Sequence, residues 1–319
     1  MTASAIGHNR KKPAVFIDGE AGTTGLEIRN RLAKVSSVEV RSIAADKRKD
    51  AKARQALMKE VDVVVLCLPD DAAREAVALA DDLGKASPRI IDASTAHRVA
   101  PGWVYGFPEM TKGHEAKVKA ATRVANPGCY PTGAIALVRP LVEAGIMPAD
   151  YPVTVNAVSG YSGGGKSMIE AYESDAAPSF ELYGLGLSHK HVPELQQYGL
   201  LTRRPIFVPS VGNYRQGMLV SLPLHLDTLP GKPTAKDIEA ALASHFRGSR
   251  LVAVASGDEV AKTGRYEAES LNGTDRLELR VFANEAHRHA VLVAKLDNLG
   301  KGASGAAVQS IGIMLGIET

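Results

Sequence analysis

The 319-residue chain is poor in cysteine, with only Cys67 and Cys129. A disulfide-stapled scaffold is excluded, and so is a four-cysteine zinc site. The same scarcity fits a reducing compartment. Charge of one sign is lacking too: 38 Lys and Arg stand against 35 Asp and Glu, a net +3. That excess gives no argument for nucleic acid as a partner, although it permits a local basic pocket. Apolar stretches end well short of the ~18 residues of a membrane span. The opening MTASAIGHNRKK has no apolar core of the kind a secretory signal carries, so neither membrane nor export is expected. Repeats and low-complexity tracts are missing. What is present is ordinary globular composition, 45% apolar and 23% charged, in a length that suits about two domains.

The first third alternates short apolar runs with helical spacing. AVFIDG (14–19), SVEVRSIA (37–44), VDVVVLCLP (61–69) and RIIDAS (89–94) read as buried parallel strands. Between them, 26–34, 50–59 and 71–85 read as helices, the last with an Asp cap and a Gly stop. This order predicts an open parallel sheet covered on both faces. After Cys129 the texture changes. Helices are expected at 131–145 and 234–246, the latter Thr-capped, and strands at 154–160 and 218–226. Residues 277–298 read as two strands around a polar turn. The fold class is therefore α/β, a Rossmann-type dinucleotide-binding domain with a second α+β domain. The helix at 304–316 is expected to pack back on the first domain. The boundaries predicted are a flexible N-terminus at 1–12, a cofactor domain of 13–130 plus 298–319, and a catalytic and oligomerisation domain of 131–297.

GEAGTTG places Gly19, Gly22 and Gly25 between a strand and a helix. Small residues there let backbone N–H groups approach a phosphate at a helix N-terminus, and Thr23 and Thr24 add hydroxyls. Asp46 lies where an acidic ribose ligand would sit, but Arg41, Lys47 and Arg48 crowd the same region and suit a 2′-phosphate. NADP is expected over NAD, although a charged surface loop would explain these residues equally well.

The two cysteines have different settings. Cys67 ends an apolar strand and reads as packing, with Pro69 shaping a loop that faces the nicotinamide. Cys129 follows NPG and precedes YPTGAIALV, with Pro131 in the first helical turn. A thiol at a helix start is expected to have a lowered pKa. Beside a dinucleotide it points to covalent catalysis on a carbonyl, with a buried structural cysteine as the alternative. HKHVPE supplies His189, His191 and Glu194. One imidazole near a thiolate takes and returns protons, and Glu194 orients it. Two histidines at this spacing without further ligands make a poor zinc site, and none is expected. The rival pair in EAHRHA, His287 and His289, reads as a solvated face.

SGYSGGGKS contains the bare string GxxxxGKS over 160–167. A stronger dinucleotide loop already exists and no Walker B strand is evident, so nucleotide hydrolysis is disfavoured. A loop that binds an anionic part of a small substrate is preferred, with Lys166 as its charge and Ser159 and Gly160 beside it. Arg98, in DASTAHR, is a candidate phosphate fork, with a surface arginine equally open.

Taken together, GEAGTTG, DASTAHR, NPGCYPTG, SGYSGGGK, HKHVPE and DNLGKGASGAAVQ resemble the short-form N-acetyl-gamma-glutamyl-phosphate reductase family, within the aspartate-semialdehyde dehydrogenase superfamily. The resemblance runs from about residue 13 to the C-terminus. It implies Cys129 as the acyl-forming nucleophile, His189 as acid/base with His191 in reserve, and Glu194 as the histidine's partner. It implies an NADP(H) surface that includes the glycine loop, Cys67, Pro69, Ser94, Asn298 and Gly302. Arg98, Asn126, Ser159, Gly160 and Lys166 are left for substrate. The family acts in arginine biosynthesis in the cytoplasm on an acyl phosphate, releasing a semialdehyde and phosphate, as a homodimer or homotetramer. A related acyl-phosphate reductase of the superfamily and a non-enzymatic NADP-binding sensor are the alternatives.

Overall fold

The computed structural model describes residues 12–256 and 259–319. Of the N-terminal segment expected to be flexible, all but Lys12 lies outside the described residues. The first part of the chain runs β1 (Ala14–Asp18), α1 (Thr23–Leu32), β2 (Glu39–Arg41), α2 (Ala51–Met58), β3 (Val63–Leu66), α3 (Asp70–Asp81), β4 (Arg89–Asp92), β5 (Val104–Tyr105), α4 (His114–Ala120) and β6 (Arg123–Ala125). The six strands form one all-parallel sheet in the order β2-β1-β3-β4-β6-β5. Every residue of β1 and β3 is buried. Helices on both faces demand this, and it explains why these strands read as unbroken apolar runs rather than as alternation. The strand order reverses between β1 and β3, where such folds place ligands beyond the carboxyl ends of the strands.

The second part runs α5 (Cys129–Glu143), β7 (Thr154–Gly160), α6 (Lys166–Glu173), β8 (Phe180–Leu182), α7 (Val192–Tyr198), β9 (Ile206–Gly212), β10 (Met218–His225), α8 (Ala235–His245), β11 (Val252–Val254), α9 (Glu259–Thr263), β12 (Leu277–Asn284) and β13 (His289–Leu296). A π-helical turn, Gly300–Ser304, leads into α10 (Gly305–Leu315). The seven strands form a mixed sheet, β11-β12-β13-β10-β7-β9-β8. In β10 burial alternates strictly, as it must when one face is covered. The covering helices are α5 and α8, packed on β10, β12 and β13. The opposite face exposes Phe180, Leu182, Ile206 and Val291. A wide apolar groove of about 600 Å³ lies there.

Most expected elements appear where the pattern places them, with two corrections. SVEVRSIA yields only the three-residue β2, and α3 begins at Asp70 behind Pro69, with no side-chain cap. Thr234 does cap α8, through a reciprocal box with Asp237. Residues 277–298 form the β12–β13 hairpin. Its turn carries His287 in a short 3-10 segment and His289 at the start of β13. As expected, α10 packs back on the first sheet's layer, against α1, α4 and β4.

Gly19 closes β1 at φ +94°, and a Cβ there would lie 2.2 Å from the Cys67 carbonyl oxygen. Gly19→Ala therefore combines left-handed strain with overpacking against backbone. It should destabilise the protein by about 2–4 kcal/mol in urea unfolding. A loss under 0.5 kcal/mol would show that the two strand ends separate freely.

Candidate active site

The glycine turn fits a dinucleotide. Gly22 is the N-cap of α1 without a capping side chain, and the first turn holds no carboxylate. The helix start therefore presents its amides and dipole to an anion. A Cβ on Gly25 would meet the Gly19 carbonyl oxygen at 2.4 Å, so only glycine lets α1 begin this close to the turn. A cleft of about 240 Å³ lies over Gly22–Gly25, with Cys67 and Ala93 as its far wall. Cys67 faces it as a strand-end group whose thiol burial pushes up to about 12.

At the ribose edge the expected cations divide. Arg41 turns away, paired with Glu39 and Glu60 at 2.9 and 3.1 Å. Asp46 and Lys47 sit on an exposed 3-10 turn. Arg48 approaches the buried Glu20, whose carboxylate also accepts from Ser42 Oγ at 2.8 Å and Arg29 at 3.0 Å. Pro69 and Ser94 do not line the clefts. Pro69 caps α3, and Ser94 Oγ donates to Asp92 at 2.8 Å inside its own turn.

Cys129 is the first residue of α5, behind Gly128 as N-cap. It opens on a second cleft of about 300 Å³, which Thr23 and Thr24 also border, so thiol and glycine turn face a common space. The expected lowering of its pKa is not found. Burial pushes the Cys129 thiol up to about 11, against the opposing pull of Arg98 and of the N–H groups of Tyr130 and Cys129. The helix start acts in the expected direction, but desolvation of the thiolate outweighs it.

Glu194 makes no hydrogen bond to either histidine among the described residues. Its buried carboxylate accepts from Arg98 Nη1 at 2.8 Å, Tyr105 OH at 2.7 Å and the Gly128 N–H at 3.0 Å. His191 Nε2 stays 3.9 Å away. Arg98 also donates through Nε to the Asn126 carbonyl at 3.1 Å. Tyr105 and Tyr198, which the sequence pattern does not single out, complete the cluster. Their rings stack at 3.9 Å, and Tyr198 OH donates to the Arg98 carbonyl at 2.6 Å. A Cβ on Gly128 would lie within 2.6–2.8 Å of Glu194, Arg98 and His191, so only glycine fits this N-cap.

His189 and His191 both border the Cys129 cleft. Burial, then Lys190 and Arg98, lower the His189 pKa to about 4, so its ring is neutral at pH 7. His189 Nδ1 accepts the His191 backbone N–H at 3.1 Å, which keeps the proton on Nε2. His191 is buried, and its Nδ1 has no hydrogen-bond partner. Burial and the Arg98 charge hold its pKa well below the ordinary value.

Of the residues expected to hold the substrate's anion, Arg98 and Asn126 line the cleft and Ser159, Gly160 and Lys166 do not. Ser159 turns its hydroxyl to the Gly160 carbonyl, and Gly160 is hemmed in by the Arg215–Gln216 backbone. Lys166 is 85% exposed and points to Glu170 along α6. Ser162 and Gly163–Gly165 border the cleft instead, and the cation there besides Arg98 is the exposed Lys190. No carboxylate among the described residues lines this cleft. Asn126 lines it with a buried Oδ1 that has no partner, while its Nδ2 donates to the Ala303 carbonyl at 3.0 Å. Asn298 bridges Gly217 N–H at 2.8 Å and Ser162 Oγ at 2.9 Å. Gly302 packs on Cys129 itself, where a Cβ would come within 2.8 Å of the cysteine Cβ.

Two domain models match this architecture. Residues 14–118 match the semialdehyde dehydrogenase NAD binding domain, and residues 129–298 match the semialdehyde dehydrogenase dimerisation domain. Among solved structures, aspartate semialdehyde dehydrogenase II of Vibrio cholerae shares the fold, with a TM-score of 0.68 at 16% identity over 96% of this chain and 98% of that one. Aspartate semialdehyde dehydrogenase of Candida albicans with NADP has a TM-score of 0.64 at 16% identity, over 97% and 100% of the two chains. N-acetyl-gamma-glutamyl-phosphate reductases of Brucella suis and Brucella melitensis are each 55% identical over 96% of this chain and 99% of their own. The chain belongs to the semialdehyde dehydrogenase family, within its N-acetyl-gamma-glutamyl-phosphate reductase branch.

A thiol raised to about 11 is protonated at neutral pH, and its thiolate fraction grows only as pH rises. Alkylation of Cys129 by iodoacetamide in the free enzyme, followed by peptide mass spectrometry, should still be accelerating at pH 9. A plateau reached near pH 7 would mean that the helix start, not burial, sets the resting thiol.

Proposed function

We propose that the chain catalyses the NADPH-dependent reduction of N-acetyl-L-glutamyl 5-phosphate to N-acetyl-L-glutamate 5-semialdehyde and phosphate, a step of arginine biosynthesis. The observation that carries this reading is the cleft in which Cys129 faces the dinucleotide turn between two cations and no carboxylate, in a chain 55% identical to reductases of that name. Cys129 Sγ attacks the acyl carbon, the C–O bond to phosphate breaks, and an acyl-cysteine thioester remains. The turn Gly22–Gly25 would hold a dinucleotide, which would supply hydride to that carbon. The tetrahedral adduct on Cys129 then collapses, releasing the semialdehyde and restoring the thiolate. One proton leaves the thiol during acylation and returns to it at the end, and this is the task assigned to His189. The His189 tautomer supports a second reading, in which Nε2–H donates to the oxyanion and the unpartnered Nδ1 of His191 takes the thiol proton.

Lys47 and Arg48, exposed beside the ribose edge, support NADPH over NADH, with Glu20 already occupied by Arg29, Arg48 and Ser42. Residues 13–130 with 298–319 serve as the cofactor domain, and 131–297 as the catalytic and oligomerisation domain. The packing of α10 on α1 and α4 supports that division. The match to a dimerisation domain and the open apolar sheet face support a homodimer or homotetramer. A biosynthetic reductase drawing on NADPH, with both cysteines free, belongs in the cytoplasm.

Cys129→Ser should bind NADP normally and lose nearly all turnover, whereas Cys67→Ser should keep most of it. His189→Asn should lower kcat by ~10²–10⁴-fold. If His191→Asn costs more, the two imidazoles exchange roles. Mass spectrometry of enzyme given the acyl phosphate without NADPH should find the acyl group on the Cys129 peptide, and an adduct on Cys67 would overturn the mechanism.

The two exposed lysines can be ranked in the reverse reaction. Lys190→Met should raise the KM for phosphate about tenfold or more, as expected for one charge-assisted contact. Lys166→Met should leave it unchanged. The opposite ranking would return the phosphate to Lys166.

A further inference from the structure

Of the two buried lysines among the described residues, Lys295 and Lys301, the second lies deeper, and the chemistry above does not use its charge. Lys301 is 1% exposed and lies in the π-helical turn Gly300–Ser304. Its Nζ donates to Glu109 Oε2 at 2.7 Å and to Gln309 Oε1 at 2.7 Å. Gln309 Nε2 donates in turn to Glu109 Oε1 at 2.7 Å. The three side chains form a closed ring of hydrogen bonds, with Nζ 5.3 Å from the centre of the Phe107 ring. They tie together the loop after β5, the π turn and α10.

The π turn is the part of this assembly that touches the nucleophile. Its wide i→i−5 bonds run from Gly302 N–H to Asp297 and from Ser304 N–H to Leu299, each at 3.0 Å. Gly302 then lies flat on Cys129, with no room for a Cβ. Leu299, Gly302 and Ala303 also wall the reaction cleft. The front of the turn is held by Asp297, which accepts from Leu299 N–H and Gly273 N–H, each at 2.8 Å. Its far end is held by Asn126 through the Ala303 carbonyl. Between these anchors Lys301 links the turn to Glu109 in the loop after β5 and to Gln309 of α10.

A buried ion pair is weak as a source of stability, because desolvation offsets most of the attraction. An apolar side chain of similar length would fill the same space. What the ring adds is direction, since hydrogen bonds at 2.7 Å fix a position that apolar contact allows to slide. π turns of this kind recur at functional sites. We infer that Lys301, Glu109 and Gln309 are positioning residues that hold the Gly302 turn against Cys129, setting the reach of the thiol into the cleft. This rests on the reading of Cys129 as nucleophile.

The test compares Lys301→Met, Glu109→Gln and the double variant with the full-length enzyme. Thermal unfolding and NADP titration establish folding. Misplacement near 1 Å costs on the order of 10²-fold in rate. Lys301→Met and the double variant should therefore lose about 10–100-fold in kcat, with KM for both substrates within threefold. The rate of Cys129 alkylation in the free enzyme, read by mass spectrometry without turnover, should change at least threefold. Glu109→Gln keeps a hydrogen-bonding ring and should lose about 3–10-fold. It decides the matter if Lys301→Met fails to fold. Folded variants with unchanged kcat and unchanged alkylation would reduce the ring to a structural role and overturn the inference. An active Cys129→Ser enzyme would instead overturn the nucleophile reading on which it stands.

Discussion

The carboxylate of Glu194 is the contact on which the active-site arrangement depends. It is 1% exposed and gathers Arg98, Tyr105 and the Gly128 N–H around two oxygens. Each partner comes from a different part of the chain. Arg98 follows β4, Tyr105 lies in β5, Gly128 caps α5, and Glu194 sits in the first turn of α7 just after the two histidines. One buried charge thus sets the distance between the HKH segment and the thiol. Removing a single partner from such a cluster typically costs 3–5 kcal/mol, because a buried charge is left uncompensated. The stacked pair Tyr105–Tyr198, and the Tyr198 bond to the Arg98 carbonyl, pack the cluster from behind. Arg98 is therefore a structural cation neutralised by Glu194, and Lys190 is the other cation at the cleft.

Burial of the thiol works against its ionisation, so little of it is thiolate at neutral pH. The two histidines beside it are neutral at pH 7, and the proton of His189 is held on Nε2. Burial does most to keep both imidazoles uncharged, and the Arg98 and Lys190 charges add to it.

Much of this was legible in the pattern of residues. Unbroken apolar runs marked the buried parallel strands, glycine spacing marked the turn after β1, and NPGCYPTG marked a helix start with a thiol. What the pattern could not carry were facts of phase and partner. Lys166 and Lys190 are both lysines flanking glycine or histidine motifs. Only the rotation of α6 shows that the first points to solvent along Glu170. Glu194 follows His191 by three residues, a spacing that puts both on one helical side, yet its hydrogen bonds go to residues 66–96 positions away. The raised thiol was hidden for a related reason. A helix N-terminus is a local property readable from sequence, whereas desolvation depends on what folds over it. Strands as short as β5 and β8 offer too few residues for any period to register.

The site also explains why the two sheets need each other. The body of α5 is packed in the core of the mixed sheet, among Ala134–Leu141 and the strands β10 and β13. Its first residue faces the glycine turn of the parallel sheet. The chain then returns after β13 through the π turn and buries α10 against α1 and α4. Cys129 is thus approached from one side by the cofactor turn and from the other by Gly302, which belongs to the returning segment. A nucleophile carried on a helix of one core and confined by backbone from the other can hold its position only while both contacts persist. The small residues at 128 and 302 are what allow them to close that tightly, since a Cβ at either would displace the groups that define the reaction. Glycine here gives close approach rather than unusual backbone angles: Gly128 has an ordinary extended φ of −73°. Cys129 is therefore confined by main chain, at its own N-cap and at Gly302, which leaves the surrounding side chains free for charge and proton transfer.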